Sequence, residues 1–227
     1  MTAEGEHPDP RDGSAGSYVT ETFEYDGGRR VTVFVPSDTP AAVIFSGDGQ
    51  RISEWSASLG REHLVPTLLV GVHGPADENR RLAEYSPTLE PGRFAAHEEF
   101  FVEEVRRWTQ SRFGVVMPPK RTAVFGLSAG GELALALGLR HPEVYGAILC
   151  ASPGGGYRPP YPMPARIPRA YLVAGTQEPF FLENATRWAD ALRRAGAEVV
   201  MNERSGSHGG SFWRAEFPHM VRWAFGR

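Results

Sequence analysis

The stretch Val124-Phe125-Gly126-Leu127-Ser128-Ala129-Gly130-Gly131 is an apolar run that ends in Gly-x-Ser-x-Gly and passes directly into Glu132-Leu133-Ala134-Leu135-Ala136-Leu137. A strand stops here, the chain turns sharply at Ser128, and a helix starts. Glycine on both sides of the serine lets two backbones approach closely around a strained turn. Such a turn holds the serine hydroxyl above the strand end, at a helix N-terminus where free N–H groups favour developing negative charge. A strand–turn–helix of this kind belongs to layered α/β proteins, and the rest of the chain conforms to that class.

Short continuous apolar runs at residues 41–45, 65–72, 122–125, 147–151, 170–175 and 198–202 have the pattern of strands buried on both faces of a parallel sheet. Between them the helical period fits 52–61, 94–112, 129–141 and 182–195, and a last helix fits 213–225. Residues 18–25 and 30–35 alternate around Asp26-Gly27-Gly28 and predict an antiparallel hairpin ahead of the sheet. The charged segment 77–85 carries no element assignment. The Gly- and Pro-rich segment 152–169 predicts an irregular loop long enough to wall a binding site.

The expected fold is therefore α/β, a mostly parallel central sheet with an N-terminal antiparallel hairpin and helices on both faces. Residues 1–17 contain almost nothing to bury and predict a disordered tail, leaving 18–227 as one catalytic domain.

With 227 residues, a net charge of −3 and a pI near 6.2, the chain offers no electrostatic case for nucleic acid or an anionic membrane. No run has the length of a membrane span and the N-terminus has no signal pattern, so a cytoplasmic location is the default expectation. The single cysteine, Cys150, lies in an apolar run and reads as a small core hydrophobe.

A serine hydroxyl attacks a carbonyl only when a base removes its proton and a third group fixes that base. In this class of fold the order along the chain is Ser, acid, His. His208, in the glycine-rich loop after the last predicted strand, is the candidate base. Glu178 follows the end of the 170–175 strand and is the candidate acid, with Glu183 and Asp190 as alternatives. One oxyanion donor is expected at the Ala129 N–H and the second at Asp48, Gly49 or Gln50, after the 41–45 strand. His73 follows a strand at the same sheet end and is a candidate pocket residue, whereas His63, His97, His141 and His219 read as solvated or capping. Phe180, Phe181, Tyr157, Tyr161 and Trp213 are candidates for an aromatic pocket, with Phe180 and Trp213 the preferred substrate contacts.

The elbow, the Asp48-Gly49-Gln50 loop, Arg81 with Glu84-Tyr85-Ser86-Pro87, and the ending Gly206-Ser207-His208-Gly209-Gly210-Ser211-Phe212-Trp213-Arg214 together resemble the esterase family that includes esterase D, mycolyltransferases and enterochelin esterases. The resemblance runs from about Val31 to the C-terminus and is nearest to the enterochelin esterase branch. It implies the α/β-hydrolase fold, Ser128 as nucleophile, His208 as base, Glu178 as acid, and the Gln50 N–H opposite the Ala129 N–H. Many relatives carry Asp in the acid position and after the final histidine, where this chain has Glu178 and Gly209. The extra N-terminal domain of full-length enterochelin esterases has no counterpart here. The implied substrate is a small-molecule ester, with no metal or organic cofactor. Acyl transfer to an acceptor other than water, and a non-catalytic binding protein on the same fold, are the alternatives. Arg81 and Glu84 are expected to form an ion pair beneath the loop.

Overall fold

The computed structural model describes residues 16–59, 64–209 and 211–226. Of the expected 1–17 tail, residues 1–15 lie outside the described residues, as does His63. Gly16 and Ser17 are not tail: strand β1 (Gly16–Phe23) pairs antiparallel with β2 (Arg29–Pro36), in a register that sets Gly16 opposite Pro36 and Phe23 opposite Arg29.

Six further strands follow, β3 (Ala42–Ser46), β4 (Thr67–Val72), β5 (Thr122–Leu127), β6 (Ala147–Ala151), β7 (Arg169–Gly175) and β8 (Val199–Arg204). They form one eight-stranded sheet in the order β1-β2-β4-β3-β5-β6-β7-β8. From β4 to β8 every pairing is parallel, and the hairpin joins through an antiparallel β2–β4 contact.

Period-two alternation sorts each strand's side chains between two cores. Val43, Phe45, Val124, Ile148, Cys150 and Leu172 face one layer, and Ile44, Phe125, Leu149, Tyr171 and Val173 face the other. The first layer is covered by α2 (Glu78–Tyr85), α3 (Pro91–Glu99), α5 (Ala129–Arg140) and α6 (Pro179–Arg194). The second is covered by α1 (Ile52–Leu59) and α7 (Phe212–Phe225). Cys150 is fully buried, as its apolar run implied.

Three departures from the sequence pattern have local causes. The charged 77–85 segment is a helix, α2, started by Asp77, whose carboxylate accepts the Arg80 N–H at 2.8 Å. The expected single helix over 94–112 is α3 and α4 (Arg106–Phe113) joined by a π-helical segment, Phe100–Val105. Its wider turn brings Phe100, Phe101, Val102 and Val105 into the core together. Helix α6 starts at Pro179, three residues earlier than expected, because proline at a first helical position gives up only an N–H that has no partner there.

His97 is neither solvated nor capping. It is fully buried on α3, stacked on Tyr85 at 5.7 Å, with no hydrogen-bond partner for either ring nitrogen, and burial pushes its pKa down to about 3.

The elbow itself depends on Gly126. An ideal Cβ at that position would stand 1.8 Å from the Gly130 carbonyl oxygen, a distance that no side-chain movement relieves. Gly126→Ala is expected to destabilise the fold by more than about 3 kcal/mol, seen as a collapse of the chemical-denaturation midpoint. A variant within about 0.5 kcal/mol of wild type would mean that the elbow is not rigid.

Candidate active site

Ser128 sits between β5 and α5 with φ 55° and ψ −123°, a backbone region that costs a non-glycine residue free energy. Its N–H donates to the Ala151 carbonyl at 3.0 Å, tying the turn to the neighbouring strand. The first helical hydrogen bond to the Ser128 carbonyl comes from Gly131, at 2.9 Å. The Ala129 and Gly130 N–H groups precede it at the open end of the helix.

His208 reaches over from the loop after β8. Its Nε2 is 3.0 Å from Ser128 Oγ and its Nδ1 is 2.6 Å from Glu178 Oε2. Two backbone contacts fix this loop against the loop that carries the acid: Gln177 N–H donates to the Gly206 carbonyl at 2.9 Å, and an ideal Cβ on Gly175 would lie 2.3 Å from that same oxygen. Glu178 is the N-cap residue of α6, yet its side chain makes no cap hydrogen bond. Oε1 instead accepts from the Gly175 N–H at 2.6 Å and the Ser152 hydroxyl at 2.5 Å, which leaves Oε2 to His208. The alternatives are elsewhere: Glu183 pairs with Arg187, and Asp190 faces Arg193.

Two further residues support this chain: Ser152, which the sequence does not single out, and Phe181, which it offers for an aromatic pocket. Ser152, fully buried with φ 48° just past β6, passes a hydrogen bond from Trp213 to Glu178: the indole N–H donates to Ser152 Oγ at 2.9 Å. Phe181 stacks on the His208 imidazole, ring centroids 3.6 Å apart and planes 18° apart.

The aromatic pocket expected from five rings is reduced accordingly. Trp213 is buried and edge-on to His208, supporting the chain from behind. Tyr157 packs on Trp188 and Tyr161 is wholly exposed. Phe180, 55% exposed, stands edge-on to Phe181 at the rim. His73 is turned to the hairpin: its Nε2 lies 2.8 Å from Thr32 Oγ1, and burial pushes its pKa down to about 4.

The loop after β3 supplies the opposite wall. Asp48 adopts left-handed φ 53°, and its N–H is taken by the Tyr85 hydroxyl at 2.8 Å. Of the three candidates for the second oxyanion donor this leaves Gly49 and Gln50. Both precede the first hydrogen bond of a 3-10 turn, Arg51 N–H to the Asp48 carbonyl at 2.9 Å. Gly49 must be glycine, since an ideal Cβ would fall 2.0 Å from the Gly71 carbonyl oxygen. Gln50 is tethered through Oε1, which accepts the Gly74 N–H at 3.1 Å.

The Arg81–Glu84 ion pair does not form. Glu84 is held by Arg29 through two contacts of 2.8 Å, and Arg81 grips Asp48 bidentately at 2.8 and 2.7 Å. Arg81 and Tyr85 are one helical turn apart, so one face of α2 fixes both ends of Asp48. Arg81→Ala removes the fork that holds the loop backbone. A loss of about 10- to 100-fold in kcat/KM is expected, with little recovery in Arg81→Lys because an ammonium lacks the planar fork. Steady-state kinetics on ester substrates checks this, and unchanged values would leave the loop set by Tyr85 alone.

Among the described residues no helix is long and apolar enough to cross a membrane.

The fold is shared with solved esterase structures. The structure superposes on a ferulic acid esterase with TM-score 0.71 at 17% identity, covering 93% of this chain and 98% of that one. For the enterobactin esterase of Shigella flexneri the TM-score is 0.78 at 19% identity, over 93% of this chain and 61% of the longer enzyme. For S-formylglutathione hydrolase of Staphylococcus aureus it is 0.71 at 14%, over 96% and 99%. At these identities the likeness shows the α/β-hydrolase fold. No curated protein matches the chain. Residues 26–157, more than half of the chain, match the family described as "Putative esterase". The chain belongs to this esterase family and is an ester hydrolase of the α/β-hydrolase fold.

Proposed function

We propose that the protein is a serine esterase that cleaves a carboxylic ester through an acyl-enzyme on Ser128. One observation carries the reading: an unbroken hydrogen-bonded chain from Ser128 Oγ through both His208 nitrogens to Glu178. An ionised carboxylate only accepts, so Nδ1 holds the proton and Nε2 faces the serine with a free lone pair. As Oγ bonds to the ester carbonyl carbon, its proton passes to Nε2. The negative charge that gathers on the carbonyl oxygen meets the N–H groups of Ala129 and of Gln50 or Gly49. Collapse breaks the bond to the alkoxy oxygen, which leaves with the proton from Nε2. Water, deprotonated by the same nitrogen, then attacks the acyl-enzyme and restores Ser128.

A fluorophosphonate probe tests this directly. Stoichiometric labelling of folded protein, located on Ser128 by peptide mass spectrometry, is expected, together with hydrolysis of p-nitrophenyl acetate and butyrate. Folded protein that neither labels nor hydrolyses would be a binding protein on this fold. Labelling with product formed only when an alcohol is added would make it an acyltransferase. Enterobactin, with which the Shigella flexneri enzyme was crystallised, belongs in the same ester panel.

A further inference from the structure

Glu132 lies in the first turn of α5, four residues after Ser128. It is only 4% exposed. Both its N–H, at 3.4 Å, and that of Gly154, at 3.2 Å, point to the Ser128 carbonyl, so the residue sits directly beneath the serine.

Its carboxylate is half used. Oε1 accepts the Gly156 N–H at 2.9 Å, while Oε2 is buried and has no hydrogen-bond partner. Burying a carboxylate oxygen without a donor is costly, and native structures tolerate it where something else supplies the donor. Two glycines pack against the group. An ideal Cβ on Gly154 would stand 2.1 Å from Oε1, and one on Gly156 would stand 2.8 Å from Oε2 and 3.0 Å from Ser86 Oγ. Gly156 is exposed at the surface. The loop is held in this position from the end of α2, where Ser86 Oγ lies 3.2 Å from Thr88 Oγ1 and Thr88 donates to the Gly156 carbonyl at 2.5 Å. Gly156, exposed at the surface, thus packs directly against a carboxylate oxygen that lacks a donor.

We infer that Glu132 Oε2 is a substrate-binding group that accepts a hydrogen bond from a hydroxyl or ammonium on the ester, with Gly156 the residue that stands between it and solvent. The inference rests on the serine-esterase reading and adds to it the class of ester preferred: one whose acyl or alkoxy part carries a donor. The group is outside the proton-transfer chain, and its contribution is to selectivity.

Matched esters test it. On the acyl side, p-nitrophenyl 3-hydroxybutyrate and 3-aminobutyrate are compared with p-nitrophenyl butyrate. On the alkoxy side, glyceryl monobutyrate is compared with propyl butyrate. Wild type should favour at least one donor-bearing ester by about tenfold or more in kcat/KM, as expected for a hydrogen bond to a charged acceptor. The ratio should fall to a few-fold in Glu132→Gln, which keeps the shape and loses the charge, and to about one in Glu132→Leu. Where the leucine variant does not fold, judged by circular dichroism, the glutamine ratio decides. The hydroxyl and amino arms separate a neutral donor from a cationic one.

Equal efficiency across every pair in wild type, or a preference that survives both substitutions, overturns the inference. In either case hydrolysis that still depends on Ser128 leaves the esterase reading standing. Hydrolysis independent of Ser128 removes that reading itself.

Discussion

Ser128→Ala lowers the hydrolysis of p-nitrophenyl butyrate by about 10⁵-fold and abolishes fluorophosphonate labelling, while the denaturation midpoint stays close to that of wild type. The size of the fall follows from the position of the hydroxyl. It is the group that His208 Nε2 meets at 3.0 Å, and without it the proposed acyl-enzyme has no oxygen to form on. Rate enhancement that survives is expected from the proposed oxyanion donors, the N–H groups of Ala129 and of Gln50 or Gly49, polarising a bound carbonyl toward water. Stability is preserved because the hydroxyl has no cap role, and because the Ser128 N–H to Ala151 and Gly154 N–H to Ser128 carbonyl bonds are main-chain. Alanine does inherit the positive φ, at a cost of about 1 kcal/mol already borne by serine. Retention of more than about a tenth of the wild-type rate would place the nucleophile elsewhere.

What the sequence disclosed and what it hid divide along a physical line. The elbow was legible because its geometry forces glycine at 126, and a residue type forced by backbone contact leaves a mark that a single chain displays. The positions of Ser128, Glu178 and His208 were legible for a topological reason: parallel strands deliver the loops that follow them to one end of the sheet. Each of these residues follows such a strand. The Arg81–Asp48 clamp was hidden because its members are far apart in sequence and belong to a helix and a loop whose packing no local pattern encodes. Segment 77–85 read as charge alone, although Asp77 was available as a helix-starting residue. Ser152 and Phe181 were hidden for another reason. A serine after a strand and a phenylalanine in an aromatic run are ordinary in a core or at its rim, and only coordinates show that one bonds Glu178 and the other stacks on His208. Trp213 shows the converse: its size and its place near the histidine suggested a substrate contact, whereas its N–H is donated to Ser152.

Glu178→Gln lowers kcat/KM by about 10⁴-fold, with the fold retained. The two oxygens of Glu178 are not equivalent. Oε1 accepts from the Gly175 N–H and from the Ser152 hydroxyl, and the first of these donors is main-chain and does not rotate away. A glutamine in this place has one oxygen and one NH₂, so its oxygen stays with Gly175 and its NH₂ turns to His208 Nδ1. Two donors then face each other unless the imidazole gives up the Nδ1 proton. It does so by moving that proton to Nε2, which becomes a donor toward Ser128 Oγ and is unable to take the serine proton. The loss is thus one of tautomer, with the distances almost unchanged, and its magnitude is that of the equivalent change in other serine hydrolases. Ser152→Ala separates this from a general weakening of the acid. It removes one donor to Oε1, leaves Oε2 a carboxylate oxygen, and lowers the rate by only about tenfold or less. Equal activity in Glu178→Gln and Ser152→Ala would mean that Glu178 holds the loop and does not set the histidine's proton.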